Sequence, residues 1–352
     1  MIDRNKITTL DSLDTILPAF ENKILKQLSD NNTIEPRNDD IPVIHITGTV
    51  PTNKFYVRGT LQYTSKTYSF SAYIKYKLQG NYTLLLPKKN FTIKLYTNEQ
   101  RTASKYMNFK NWGNMDKFVL KADHNDITHA RNVVSAKLWG KVVQSRSDYD
   151  SLPEEMRNTP NNCAIDGFPV LVYINNEYQG IYNFTLPKSP LVFGMDKKNN
   201  NHVALQSEIN DVDSGIGHLN PCNFNQSWDG NETYFSYEIG KDAVNSFNNL
   251  YQYIYATPNV NTIKNYLDIQ SAIDYYIFHS VIYNVDGLAR NMILLTYDKI
   301  KWYLSSYDMD NTFGLLGGSK TIEQYQNQDS AYEAMPGSSW FFNMHSELWY
   351  FL

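Results

Sequence analysis

The sequence predicts an α+β architecture: an antiparallel sheet in the N-terminal half, a mainly helical C-terminal half, and a helical arm in front of both. Three observations predict it. From Ile41 to Tyr96 apolar residues tend to recur at every second position, as in Val43-Ile-His-Ile46 and Tyr68-Ser-Phe-Ser-Ala-Tyr-Ile-Lys-Tyr-Lys77, the period of strands with one buried face. Beyond Asp126, several stretches change to the three- and four-residue steps of amphipathic helices. Ahead of the sheet, Leu10, Leu13, Leu17, Phe20, Ile24 and Leu28 keep helical steps, and the polar run Asn31 to Asp40 reads as a linker. The chain therefore divides into an arm and linker over 1–40 and one domain over 41–352, with 41–210 mainly β and 211–352 mainly helical. The arm reads equally well as a helix packed on the domain or as a device for oligomerisation within a larger assembly.

Composition narrows the function classes. The 352 residues carry a net charge of −4 with acids and bases mixed, so nothing marks the chain for nucleic acid or an anionic membrane surface. Two cysteines, Cys163 and Cys222, make neither a disulfide framework nor a Cys/His metal site. The opening Met-Ile-Asp-Arg-Asn-Lys leads into no apolar run of signal-peptide length, and no stretch approaches a membrane span, so synthesis in the cytoplasm is expected.

Along the domain, Phe118-Val-Leu-Lys121 reads as a strand. A helix then runs to about Val143, with Asp126 as its N-cap and Val133, Val134, Leu138 and Val142 as a buried stripe. Pro169 to Thr185 is a hairpin turned at Asn175-Asn176. Residues 210 to 232, rich in Asn, Asp, Gly and Ser, read as an exposed excursion. Helices follow over about Asp242 to Ala256 and Asp268 to Tyr283, the second a core helix through Ile273, Tyr276, Ile277, Val281 and Ile282.

The stretch that carries chemistry is Asn284-Val-Asp-Gly-Leu-Ala-Arg-Asn291, then two short strands, Met292 to Tyr297 and Lys301 to Ser305, then Tyr307-Asp-Met-Asp-Asn-Thr-Phe-Gly314. A hairpin brings its ends together, so Asp286, Asn291, Asp308 and Asp310 converge. Carboxylates and a carboxamide suit Mg²⁺, which binds through a few protein oxygens and substrate phosphates. Asp286 and Asn291 are spaced as Asp and Asn are in the protein-kinase string H-R-D-x-x-x-x-N, and Asp308 stands where D-F-G follows.

On these motifs the chain resembles the CotH kinase family, atypical kinase-like proteins named from a bacterial spore-coat protein. Tyr173-Ile-Asn-Asn-Glu-Tyr-Gln-Gly-Ile-Tyr182 is similar to that family's N-G-x-Y-x-G-x-Y string. The resemblance implies an atypical protein-kinase-like fold, with a sheet lobe and a helical lobe. It implies ATP and Mg²⁺ as cofactors and phosphorylation of protein Ser/Thr hydroxyls. Asp286 and Asp308 would be catalytic, and Asn291, Asp308 and Asp310 would hold metal. Arg58 in an Arg-Gly turn, Lys89 of the Lys-Lys strand and Arg131 of the Arg-Asn pair would attend the nucleotide, with Lys94 in Phe-Thr-Ile-Lys an alternative by its likeness to the kinase V-A-I-K.

One departure bears on activity. Where the family hairpin continues to a Glu this chain has Leu186, followed by Pro187-Lys188; Glu208 is the expected substitute for orienting a lysine. Relatives are also expected to continue beyond the aromatic run Trp340 to Leu352. The competing expectation is a scaffold without catalysis, a component of a phage baseplate or spore-coat assembly whose partners are neighbouring subunits and whose destination is a virion or coat. A calcium loop at Asp308-x-Asp310 is disfavoured by the bulky Phe313 and by the shortage of further acids.

Overall fold

The computed structural model describes residues 33–36, 40–80, 82–110, 112–196, 198–206, 250, 260–284, 287, 291–316 and 320–321. Seven strands form a closed barrel: β1 (Val43–Gly48), β2 (Val57–Thr64), β3 (Ser69–Gln79), β4 (Asn90–Tyr96), β5 (Lys117–Lys121), β6 (Gly167–Ile174) and β7 (Glu177–Thr185). Their order around the barrel is β1-β2-β3-β4-β5-β7-β6, and β6 returns to β1 in parallel, Val43 opposite Leu171. Between β6 and β7 the two-residue turn Asn175-Asn176 has both φ angles positive, 50° and 69°, the primed geometry that matches strand twist and that asparagine tolerates. The Asn175 side chain also clasps both backbone groups of Gly48, at 2.9 and 3.0 Å.

The chain divides into two compact units. The first comprises 1–77, 93–118 and 171–179. Alternation along β2 and β3 turns Leu61, Tyr63, Ile74 and Tyr76 into its core, beside a ring cluster of Phe70, Phe109, Trp112 and Phe118. Arg101 is buried among backbone carbonyls of Ile74, Glu99 and Gly59, which answers its charge without a carboxylate. A short strand at Thr33–Ile34, inside the stretch expected as linker, pairs in parallel with Asn108–Phe109.

The second unit comprises 78–92, 119–170 and 180–352 and holds the candidate site. Helix α1 (Arg131–Gln144) and helix α2 (Ile269–Val281) meet at the fully buried Trp139, whose indole lies 5.5 Å from the Tyr275 ring and 5.4 Å from the Phe278 ring. A three-stranded antiparallel sheet, β8 (Val203–Gln206), β9 (Met292–Thr296) and β10 (Trp302–Ser306), packs against α2; every residue of β9 and β10 is buried.

The expected kinase-like α+β fold, a sheet lobe joined to a helical lobe, is corrected by this architecture. The sheet curls into a closed barrel. Beyond residue 211 the described residues hold two strands of the buried sheet, two short β pieces and, among helices longer than four residues, α2 alone. The reason is topological: closure depends on a parallel pairing between residues more than a hundred positions apart, which local period does not encode. Three smaller expectations also change. On α1 the buried stripe is Val133, Ala136, Trp139 and Val143, with Val134 and Leu138 exposed, because the helix turns its largest side chain inward. On α2, Ala272, Tyr275, Phe278 and His279 face in, while Ile273, Ile277 and Val281 face out. Arg58-Gly59 is not a turn but lies within β2, where a Cβ on Gly59 would come 2.9 Å from the Thr47 carbonyl. The helical arm lies outside the described residues, as does all but Leu250 of the helix expected over 242 to 256.

Candidate functional site

The sheet of the second unit sets out the site. In the β9–β10 hairpin Met292 pairs with Ser306, and just beyond this last pair the Tyr307 N–H donates to the Asn291 carbonyl at 3.1 Å. Asn291 and Asp308 thus flank one open end of the hairpin. Both take left-handed backbone angles, φ 58° and 54°, a conformation that asparagine and aspartate reach more easily than most residues. It turns the chain sharply where the side chains leave the sheet.

Asp308 meets the end of β5. The Lys121 ammonium donates to Asp308 Oδ1 at 2.9 Å, with the lysine side chain 12% exposed and the aspartate 33%. Burial opposes charge on both. It is outweighed: Asp308, assisted by Tyr307 and Asp310, holds Lys121 well above the ordinary lysine range, and Lys121, with Lys188 and Asn132, holds Asp308 below the ordinary carboxylate range. Tyr307 forms a floor, its ring centre 4.3 Å from the Lys188 ammonium and 5.3 Å from that of Lys121. Beside the pair a narrow cleft is lined by Val119, Asn132, Val133, Thr185 and Leu186, among others. The Thr185 hydroxyl there has no hydrogen-bond partner among the described residues.

Helix α1 fixes the acidic segment. Arg131 Nε donates to the Thr312 carbonyl at 2.9 Å, Asn132 Oδ1 accepts from the Met309 N–H at 3.2 Å, and Ser135 Oγ lies 3.2 Å from Thr312 Oγ1. Met309 and Thr312 are buried anchors, while Asp308, just before them, and Asp310, between them, stay partly exposed. The helix begins five residues later than its expected cap, yet Asp126 still accepts from the N–H groups of Thr128, Ala130 and Arg131 and pairs with the Arg131 guanidinium. Burial pushes its carboxyl up, but the Thr128 hydroxyl, which donates to it at 2.7 Å, the Arg131 and Thr128 N–H groups and the Arg131 guanidinium together hold it below the usual range.

The loop of the other expected carboxylate is anchored on both sides. The Asn284 N–H donates to the His279 carbonyl at 2.8 Å, the Gly287 N–H donates to Asn284 Oδ1 at 3.1 Å, and the Tyr275 hydroxyl donates to the Gly287 carbonyl at 2.6 Å. A Cβ on Gly287 would lie 2.3 Å from His279 Nδ1, so only glycine passes here. Asp286 itself, and Glu208, lie outside the described residues.

Of the expected basic residues, Arg58 and Lys94 belong to the first unit, where Arg58 is exposed and Lys94 faces Asp116 at 3.7 Å. The Lys89 ammonium donates to the Leu84 and Leu86 carbonyls of its own turn. Its neighbour Lys88 reaches the Ala122 carbonyl at 3.0 Å and that of Ile181, and burial pushes its pKa down to about 8 despite nearby Asp123. Asp123, raised by burial, accepts from Asn183 at 2.6 Å. Motif reasoning misses Lys121: it ends a plain apolar strand, Phe-Val-Leu-Lys, and its only sequence signal is that strand-end position. Motif reasoning also gives Asn132 no role beyond its place in the Arg-Asn pair.

Among the described residues no group of three or more His, Cys, Asp or Glu is placed to hold a metal ion. What they offer is the carboxylates of Asp308 and Asp310 and the Asn291 carboxamide, a hard-oxygen set of the kind that binds Mg²⁺ when phosphate oxygens complete the shell. No helix of the described residues is long and apolar enough to cross a membrane. The family model described as CotH kinase protein matches residues 76–347, most of the chain. The chain belongs to the CotH kinase family. No curated protein matches it in sequence.

Proposed function

We propose that this chain is a metal-dependent phosphotransferase that passes the terminal phosphoryl group of ATP to a Ser or Thr hydroxyl of a protein. The observation that carries the reading is the Lys121–Asp308 pair, 2.9 Å apart on the Tyr307 floor and pinned by α1. Phosphoryl transfer demands little covalent chemistry from a protein; it needs placed cations and oxygen ligands. Lys121 supplies the phosphate-facing charge, a role the sequence assigned to Lys89 or Lys94. Asn132 holds Asp308 in its turned-out conformation through the Met309 N–H. Asp308, Asp310 and Asn291 would hold Mg²⁺, which when bound neutralises phosphate oxygens. Asp286 is assigned to the acceptor hydroxyl, orienting it and taking its proton.

A second reading, a coat or baseplate scaffold without turnover, is favoured by one observation: Leu186, 2% exposed, puts an apolar side chain beside Lys121 in the cleft. Nucleotide binding measured by titration calorimetry with and without Mg²⁺ separates the two. Metal-dependent ATP binding that Asp308→Ala abolishes supports the enzyme; no ATP binding by the unaltered protein in Mg²⁺ overturns it.

A further inference from the structure

Tyr307 is flanked by two lysines from different stretches. Lys121 ends β5, and Lys188 follows β7 after Leu186-Pro187, so no local spacing relates them. Both ammoniums lie within 5.3 Å of the centre of one ring. Their shared neighbour is Asp308, whose Oδ1 already receives Lys121 at 2.9 Å and Asn132 at 3.4 Å.

Charge bookkeeping makes this arrangement informative. Lys121 and Lys188 balance Asp308 and Asp310 in the resting site. A divalent cation on those carboxylates would then leave two units of positive charge around a ring that is itself buried. In a poorly solvated setting that excess is costly unless an anion enters with the metal. A single phosphate answers one ammonium. A chain of linked phosphates can touch both while its other oxygens face the metal. We propose that Lys121 and Lys188 form a two-lysine seat for a polyphosphate chain across Tyr307, with Lys188 the residue that makes the site prefer linked phosphates to a single one. The inference rests on the phosphotransferase reading and adds to it the way the site recognises the phosphate chain.

The coupling has a sign that a merely structural lysine lacks. Removing Lys188 takes a cation away from a cation site, so metal alone binds as well or better, while polyphosphate binds worse. The test uses the full chain, titrated with inorganic tripolyphosphate and with orthophosphate, and separately with Mn²⁺ followed by electron paramagnetic resonance. Lys188→Met should weaken tripolyphosphate binding about tenfold, the size expected for one charged hydrogen bond, and leave orthophosphate little changed. Lys188→Arg should restore most of the affinity, and Mn²⁺ affinity should hold or rise in Lys188→Met. Unchanged tripolyphosphate binding in Lys188→Met overturns the seat, as does a parallel loss of Mn²⁺ and tripolyphosphate. Tripolyphosphate binding that depends on Lys188 in a protein that ignores ATP would keep the seat and remove the nucleotide reading.

Discussion

Two partly buried ion clusters in the second unit invite comparison. At the start of α2, Arg146 donates to both oxygens of Asp148, at 2.9 and 2.8 Å, and to Asp268 Oδ1 at 2.7 Å, while Asp268 also accepts the Ser271 N–H as helix cap. Asp274 stands 3.9 Å away. In the candidate site Asp308 instead meets two lysines. The first cluster uses a planar fork whose donors match fixed carboxylates, so the cation is directionally committed. The second uses point charges on flexible stems, able to release one partner for another. The difference lies in the cation rather than in distance, since the Lys121–Asp308 contact, 2.9 Å, is as short as those of Arg146.

The largest effect that would sharpen this contrast is on Arg146. Arg146→Met removes the nearer and more buried cation of Asp268, leaving it Lys301 at 3.7 Å, and should cost about 3 kcal/mol in urea unfolding, leaving any nucleotide binding of the folded fraction intact. Lys121→Met should cost less, about 1–2 kcal/mol, because the partly exposed Asp308 keeps contact with water, but it should remove nucleotide binding. The pH dependence of that smaller loss has a definite sign. The folded pKa of Asp308 is depressed, so the pair's stabilisation is present above the unfolded carboxylate value, near 3.9, and disappears as pH falls through the lower folded value. Urea midpoints of the two proteins should therefore differ by a steady amount from pH 5 to 7, and the gap should narrow as pH falls below about 4; a gap that widens with acidification breaks the assignment. Smallest is Asp148→Ala, at a side chain 44% exposed, with about 0.5 kcal/mol expected from thermal melts. A loss as large as that of Arg146→Met would show the closed cluster to be less redundant than its geometry implies.

Local chemistry was legible in the sequence and long-range assembly was not. Asn175-Asn176 announced its turn, because few other pairs take two positive φ angles in succession. The strands on either side of Asp298-Lys299 were equally plain, and they align Asn291 with the residues leading to Asp308. Lys121 was hidden because a lysine ending an apolar strand looks the same whether it meets solvent or a carboxylate 187 positions later. The stripe of α1 was displaced by Trp139, which decides orientation by volume rather than by period. Barrel closure belongs to the same class: each strand was visible, but the identity of the neighbour on its second edge was not.

That second edge has a consequence for how the chain matures. β1 can pair with β2 almost as soon as both are synthesised, but its other row of amides and carbonyls waits for residues 171–174, and for the clasp of Asn175 on Gly48. While more than a hundred residues are being added by the ribosome, an apolar strand stands with one flank open to any passing segment. Late closure makes nascent β1 the vulnerable point in biogenesis, and the mature molecule escapes that hazard only when its ring is sealed.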